Sequence, residues 1–122
     1  MGRPVVHWEI WAKDAKKLQD FYAKLFEWTI NTNNPINYGL VQTGGPESGV
    51  QRGINGGIFK PEKADLPQRL TFYVEVEDVQ KYLDKATQLG GKTLVPPTSI
   101  PGIGTWALFS DPEGVCIGLF KP

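Results

Sequence analysis

The sequence predicts an α+β fold of two βαβββ modules in one chain, with mixed sheets curled to form a cavity. Three observations predict it. The order strand, helix, three strands occurs twice along the 122 residues. Each helix is preceded by an aspartate suited to cap it. Residues at matched places in the two halves repeat at near-constant offsets.

Val5–Ala12 interleaves apolar and aromatic residues with His7 and Glu9, the alternation of a half-buried strand. Asp14 stands where its carboxylate can accept the unpaired N–H groups of a first helical turn. Leu18, Phe21, Tyr22 and Leu25 follow at helical spacing, which predicts an amphipathic helix over 15–26. A short strand is expected over Glu27–Thr32, ending in the turn cluster Asn33-Asn34-Pro35, with another over Tyr38–Thr43. The run Gly44-Gly45-Pro46-Glu47-Ser48-Gly49 reads as a loop, and Gly53–Phe59 as a glycine-rich strand. Lys60–Gln68, with two prolines and four charges, reads as a linker.

The order then begins again. Leu70–Val76 is a strand, Asp78 a cap, and Val79, Tyr82, Leu83 and Ala86 the apolar stripe of a second helix that ends at Gly90-Gly91. Strands are expected over Lys92–Val95, Thr105–Ser110 and Val115–Phe120. Pro96, Pro97, Pro101 and Gly102 mark a loop between the first two, and Asp111-Pro112-Glu113-Gly114 a turn before the last.

The repeat can be counted. At an offset of 64, Asp14 meets Asp78, Lys17 meets Lys81, Asp20 meets Asp84, Leu25 meets Leu89 and Thr29 meets Thr93. At an offset of 61, Gly57-Ile58-Phe59-Lys60-Pro61 meets Gly118-Leu119-Phe120-Lys121-Pro122. One domain over 1–122 is expected, with module one at about 4–61 and module two at about 68–122.

Alternation assigns the faces. Val6, Trp8 and Ile10, and in the fifth strand Phe72, Val74 and Val76, are uniformly apolar and should pack on the helices. His7, Glu9 and Trp11, with Thr71, Tyr73 and Glu75, are left for the opposite face. An apolar wall carrying a few polar groups suits a small-molecule site. Trp11, Tyr73 and Trp106 are the aromatic rings expected to reach it and stack on a planar ligand.

Composition narrows the partners. Thirteen basic residues balance 13 acidic ones, so no net charge recruits nucleic acid or an anionic membrane. The single cysteine, Cys116, cannot form an internal disulfide and has no second histidine as a base. No apolar run is long enough to span a bilayer, and no signal peptide is expected. These features fit a cytoplasmic protein, and the length and neutral charge suit a homodimer.

The residues His7…Asp14…Phe21-Tyr22…Leu25-Phe26, the run Gly53–Phe59, and above all Pro101-Gly102-Ile103-Gly104…Asp111-Pro112-Glu113-Gly114 resemble the vicinal-oxygen-chelate superfamily. That group includes glyoxalase I, extradiol dioxygenases, fosfomycin-resistance enzymes and bleomycin-binding proteins. The resemblance spans nearly the whole chain. It implies paired modules around a cavity, often beside a homodimer interface.

It also implies metal-ligand positions on the first and last strands of each module. Here these positions are His7, Gly57, Thr71 and Gly118. Glycine offers no donor and a threonine hydroxyl is a poor one, so neither the usual metal site nor any other cofactor is expected. A rearranged set of His7, Glu9 and Glu75 is the alternative. Glu9 and Glu75 can equally sit at the sheet rim, solvated or hydrogen-bonded. His7 can be a wall histidine bonded to a neighbour such as Glu9 or Tyr73. Gly57 and Gly118 either leave room for a ligand or curl the sheet.

The expected function is therefore binding of a small organic molecule without the family's metal, through Trp11, Gly57, Thr71, Tyr73, Glu75, Trp106 and Gly118. The alternative is an enzyme of lyase, isomerase or dioxygenase type. It would use His7 with a rearranged metal site, or His7 and Glu9 as a metal-free acid–base pair.

Overall fold

The computed structural model describes residues 2–44, 53–62 and 68–122. Most of the expected loop over 44–53 and the middle of the expected linker lie outside the described residues.

The chain divides into two compact units, His7–Leu70 and Met1–Val6 with Thr71–Pro122. The unit of residues 7–70 contains most of strand β1 (Val5–Trp11), helix α1 (Ala15–Phe26) and strands β2 (Thr29–Asn31), β3 (Gly39–Gln42) and β4 (Gly56–Phe59). Its strands lie in the order β2-β3-β4-β1. β1 runs parallel to β4, and the other two pairings are antiparallel. Ala12, Val41 and Ile58 form its buried centre, with Trp8, Ile10, Leu18, Tyr22, Trp28 and Ile30 packed around them. The expected apolar face of β1 is thus the one that meets α1.

The other unit holds β5 (Leu70–Glu75, from Thr71 on), α2 (Val79–Gln88), β6 (Lys92–Ile100), β7 (Gly104–Ser110) and β8 (Cys116–Lys121). Its strand order is β5-β8-β7-β6, again with one parallel pair, β5 with β8. Val76, Val79, Leu83, Ala107 and Leu119 make its core, flanked by Val74, Tyr82 and Phe109. The first residues of the chain belong to this unit: Glu75 N–H donates to the Pro4 carbonyl and Arg3 pairs with Glu77 at 3.0 Å.

The repeat is visible in the hydrogen bonds. Asp14 accepts from the amide of Lys17 and Asp78 from that of Lys81, each at 3.1 Å. In register, Glu9 sits opposite Gly57 in the first module and Tyr73 opposite Gly118 in the second, the same pair of positions in each repeat. The Asp-Pro-Glu-Gly turn has a local cause. Asp111 Oδ1 accepts from the amides of Glu113 and Val115 at 2.9 and 3.0 Å, and Gly114 takes φ +90°, which a side chain would disfavour.

One element departs from expectation. β6 runs on to Ile100, through Pro96 and Pro97, where a loop was expected. Among the described residues it is the end strand of its sheet, paired with β7 alone, and an edge tolerates a residue with no N–H to donate. The register shifts between Thr93 and Val95 and again before Thr98 accommodate the prolines.

Candidate functional site

The alternation of β1 turns His7, Glu9 and Trp11 away from α1. Glu9 is only 7% exposed, and a donor reaches each oxygen of its carboxylate. The Trp11 indole N–H donates to Oε1 at 3.0 Å, and the Tyr38 hydroxyl donates to Oε2 at 2.8 Å. The same hydroxyl lies 2.8 Å from Nε2 of His7. Three titratable side chains therefore form one chain, with Tyr38 in the middle.

Burial lowers the His7 pKa from 6.5, so the imidazole is neutral at pH 7. A phenol has one proton, and this one goes to Glu9. Toward His7 the same oxygen meets Nε2, whose role as donor or acceptor follows the imidazole tautomer.

Tyr38 lies over Gly57. A Cβ at Gly57 would overlap the Tyr38 ring and hydroxyl. The volume a side chain at Gly57 would take is filled from within the chain, and Gly57 is what admits the phenol to the line between His7 and Glu9. Phe59 packs against Tyr38 at a ring separation of 5.0 Å. Leu40, opposite Gly57 in register, shares this face and is 48% exposed.

The second module repeats the device with different residues. A Cβ at Gly118 would overlap the ring of Tyr73, which is buried. Thr71 is buried as well, and its hydroxyl donates to the Cys116 carbonyl at 2.7 Å. Trp106 and Glu75 are half-buried on β7 and β5.

These positions do not fit the metal that the resemblance implies. Tyr38 covers Gly57, Tyr73 covers Gly118, the Thr71 hydroxyl donates to a carbonyl, and His7 Nε2 meets a phenol. Each Glu9 oxygen already accepts a hydrogen bond, from Trp11 at one and Tyr38 at the other. Among the described residues no group of three or more His, Cys, Asp or Glu side chains could hold a metal ion. No helix among them is long and apolar enough to cross a membrane.

His7 and Glu9 lie on one face of β1 and are both hydrogen-bonded, and Tyr38, which the sequence did not single out, is a partner of each. Its parity was the available signal: in the run Tyr38-Gly39-Leu40-Val41, Val41 packs in the core, so Tyr38 and Leu40 belong to the opposite side. Trp11 is buried and serves as a donor to Glu9.

Comparison with known proteins agrees with this architecture. "Putative glyoxylase CFP32" of Mycobacterium tuberculosis is 30% identical over 86 residues, covering 70% of this chain and 30% of that protein. The chain thus spans less than a third of this curated relative. A glyoxalase/bleomycin resistance protein/dioxygenase superfamily member from Vibrio splendidus 12B01 shares the fold, with TM-score 0.64, 15% identity and coverage of 99% and 100% of the two chains. So does methylmalonyl-CoA epimerase from Mycobacterium tuberculosis, with TM-score 0.67, 12% identity and coverage of 97% and 87%. The family profile matches residues 5–119, and on that match this chain belongs to the Glyoxalase/Bleomycin resistance protein/Dioxygenase superfamily.

Proposed function

We propose that this protein binds a small organic molecule on the sheet face that carries His7, Tyr38 and Leu40, and does so without the superfamily's metal. The seating of Tyr38 on Gly57 carries this reading, because it puts a phenol where the family's donor would project. What remains is a surface of aromatic rings and a half-exposed leucine beside a neutral imidazole. Such a surface suits a partly aromatic ligand held by packing and a few directed hydrogen bonds. Trp11 and Gly57 act on this face as supports for Glu9 and Tyr38. In the second module the corresponding ligand positions are Thr71, Tyr73, Glu75, Trp106 and Gly118. We further propose that the chain is one domain, working as a cytoplasmic homodimer without nucleic-acid or membrane partners, consistent with its zero formal charge.

One observation favours a catalytic variant of this reading. His7 is joined through Tyr38 to a buried carboxylate, which orients the imidazole and stabilises it when it takes a proton. A metal-free lyase or isomerase could use that pair, and the fold shared with an epimerase is compatible with it.

The test combines metal analysis with ligand screening. Purified protein should hold no stoichiometric Ni, Zn, Mn or Fe, and aromatic compounds should raise its melting temperature less in His7→Ala. A stoichiometric metal lost in His7→Ala would overturn the metal-free reading. Absence of stabilisation by any compound would overturn the binding reading.

A further inference from the structure

We propose that the row Glu75, Phe120 and Trp106 in the second module recognises an organic cation, a flat apolar body carrying a protonated amine. This ligand class rests on the binding reading above.

The row follows from strand register. Glu75 pairs with Phe120 and Phe120 with Trp106, so the three residues stand side by side across β5, β8 and β7. Their chain neighbours Val74, Val76, Leu119 and Ala107 pack in the core with Val79 and Leu83 of α2. Alternation therefore turns the row to the sheet face away from α2. Gly104 shares that face, and a Cβ there would come 2.9 Å from Phe120 Cζ. The Phe120 ring thus reaches across to the start of β7, two residues from Trp106. Glu75, Phe120 and Trp106 are all half-buried, so each keeps surface for a ligand.

The repeat supplies an internal comparison. At the offset of 64, Trp11 corresponds to Glu75 and Glu9 to Tyr73, and at the offset of 61 Phe59 corresponds to Phe120. The two modules thus place a carboxylate two residues apart along matched strands. In the first, Glu9 is buried and accepts from Trp11 and Tyr38 of its own module. In the second, the carboxylate has moved into the row of rings. Among the described residues no hydrogen bond or ion pair reaches it.

A half-buried carboxylate beside two aromatic rings favours a ligand that brings both N–H donors and positive charge. An ammonium group satisfies the oxygens of Glu75 and is attracted to the ring faces of Phe120 and Trp106. The flat body then packs along the same rings. With zero formal net charge, the chain as a whole exerts no long-range pull on a cation, so the preference must come from Glu75.

Naphthylmethylamine, protonated near neutral pH, and the uncharged naphthylmethanol share the ring and differ in charge. Titrations followed in the amide spectrum should show the amine binding about tenfold more tightly, the order of one charge-assisted hydrogen bond. Glu75→Gln should bring the two affinities together, and Phe120→Ala should weaken both. An unchanged amine preference in Glu75→Gln, or undiminished affinity in Phe120→Ala, overturns the proposal. If Glu75→Gln does not fold, the native protein decides. The amine must shift the Trp106 indole N–H signal, and shifts confined to other residues overturn the proposal. Binding of the alcohol as tightly as the amine overturns the cation assignment and leaves the binding reading standing. Binding of neither probe overturns both.

Discussion

The ring of Tyr38 lies over Gly57, in the volume a β-carbon at that position would need. Gly57→Ala should therefore cost about 1–3 kcal/mol as an overpacking change, because the ring must move or β4 must shift. The larger effect is expected at His7. With the phenol displaced, the imidazole and Glu9 lose their bridge, and the imidazole nitrogen shifts should change together with stability. Urea unfolding and the imidazole nitrogen spectrum of the same sample check both. A variant as stable as the native protein with an unchanged spectrum would refute the arrangement.

Tyr38→Phe removes one hydroxyl and leaves the ring. Glu9 then keeps the Trp11 donor at 3.0 Å and loses the Tyr38 donor at 2.8 Å, inside an environment only 7% exposed. Leaving one oxygen of a buried carboxylate without that donor should cost about 1–3 kcal/mol. In the double variant Tyr38→Phe with Glu9→Gln the penalty should shrink, since no charge is then buried. A double-mutant cycle in urea measures the difference.

Burial makes His7 harder to protonate in the folded chain than in the unfolded one, where its pKa is near 6.5. Between these two values the unfolded state binds a proton that the folded state does not. The contribution of His7 to stability is therefore fully present above pH 6.5. It is lost progressively as pH falls from there through the lower, folded value. Comparing the native protein with His7→Gln across that range should show a steeper decline in the native protein. Parallel pH profiles would mean that the ring is not desolvated.

The fold was legible because it is written in local chemistry twice. Asp14 and Asp78 cap helices in the same way, and alternation sorts core from site in β1 and, at Val74 and Val76, along β5, whereas Phe72, expected on the helix side, is 39% exposed and outside the core. What stayed hidden depends on partners distant in sequence. Tyr38 joins a residue 31 positions away to one 29 positions away, and nothing in its neighbourhood announces that. Gly57 and Gly118 were legible as missing side chains. That the missing volume is filled by Tyr38 and Tyr73 was not, because a gap in one strand says nothing of which neighbour closes it. The length of β6 was hidden for a different reason: prolines argue against a strand unless it is known to lie at an edge.

The N-caps give a test of the repeat as an energetic unit. Asp14→Ala and Asp78→Ala each remove a carboxylate that accepts from the amide three residues on, at the same 3.1 Å. Each should cost about 1 kcal/mol. Asp→Asn at either position should recover most of that, because the amide oxygen can still accept. Urea midpoints with unchanged slopes are the expected signature.

The two helices also share a position at which the repeat has diverged. Leu83 in α2 and Gln19 in α1 are 64 residues apart, and both are buried, at 1% and 7% exposed. Leu83 fills the core between α2 and its sheet, so Leu83→Ala should cost about 2–5 kcal/mol through lost burial and the cavity left behind. Gln19 instead reaches β4, where Nε2 donates to the Ile58 carbonyl at 2.7 Å, beside Gly39. Gln19→Leu restores the residue type of the second module but gives the Ile58 carbonyl no donor. The expected outcome is destabilisation of about 1–3 kcal/mol despite the added apolar side chain. Gln19→Glu should be worse still, because it sets a carboxylate against a carbonyl oxygen. A stabilised Gln19→Leu protein would mean that the hydrogen bond contributes less than the packing it displaces, and that the first module's helix is seated as the second one is.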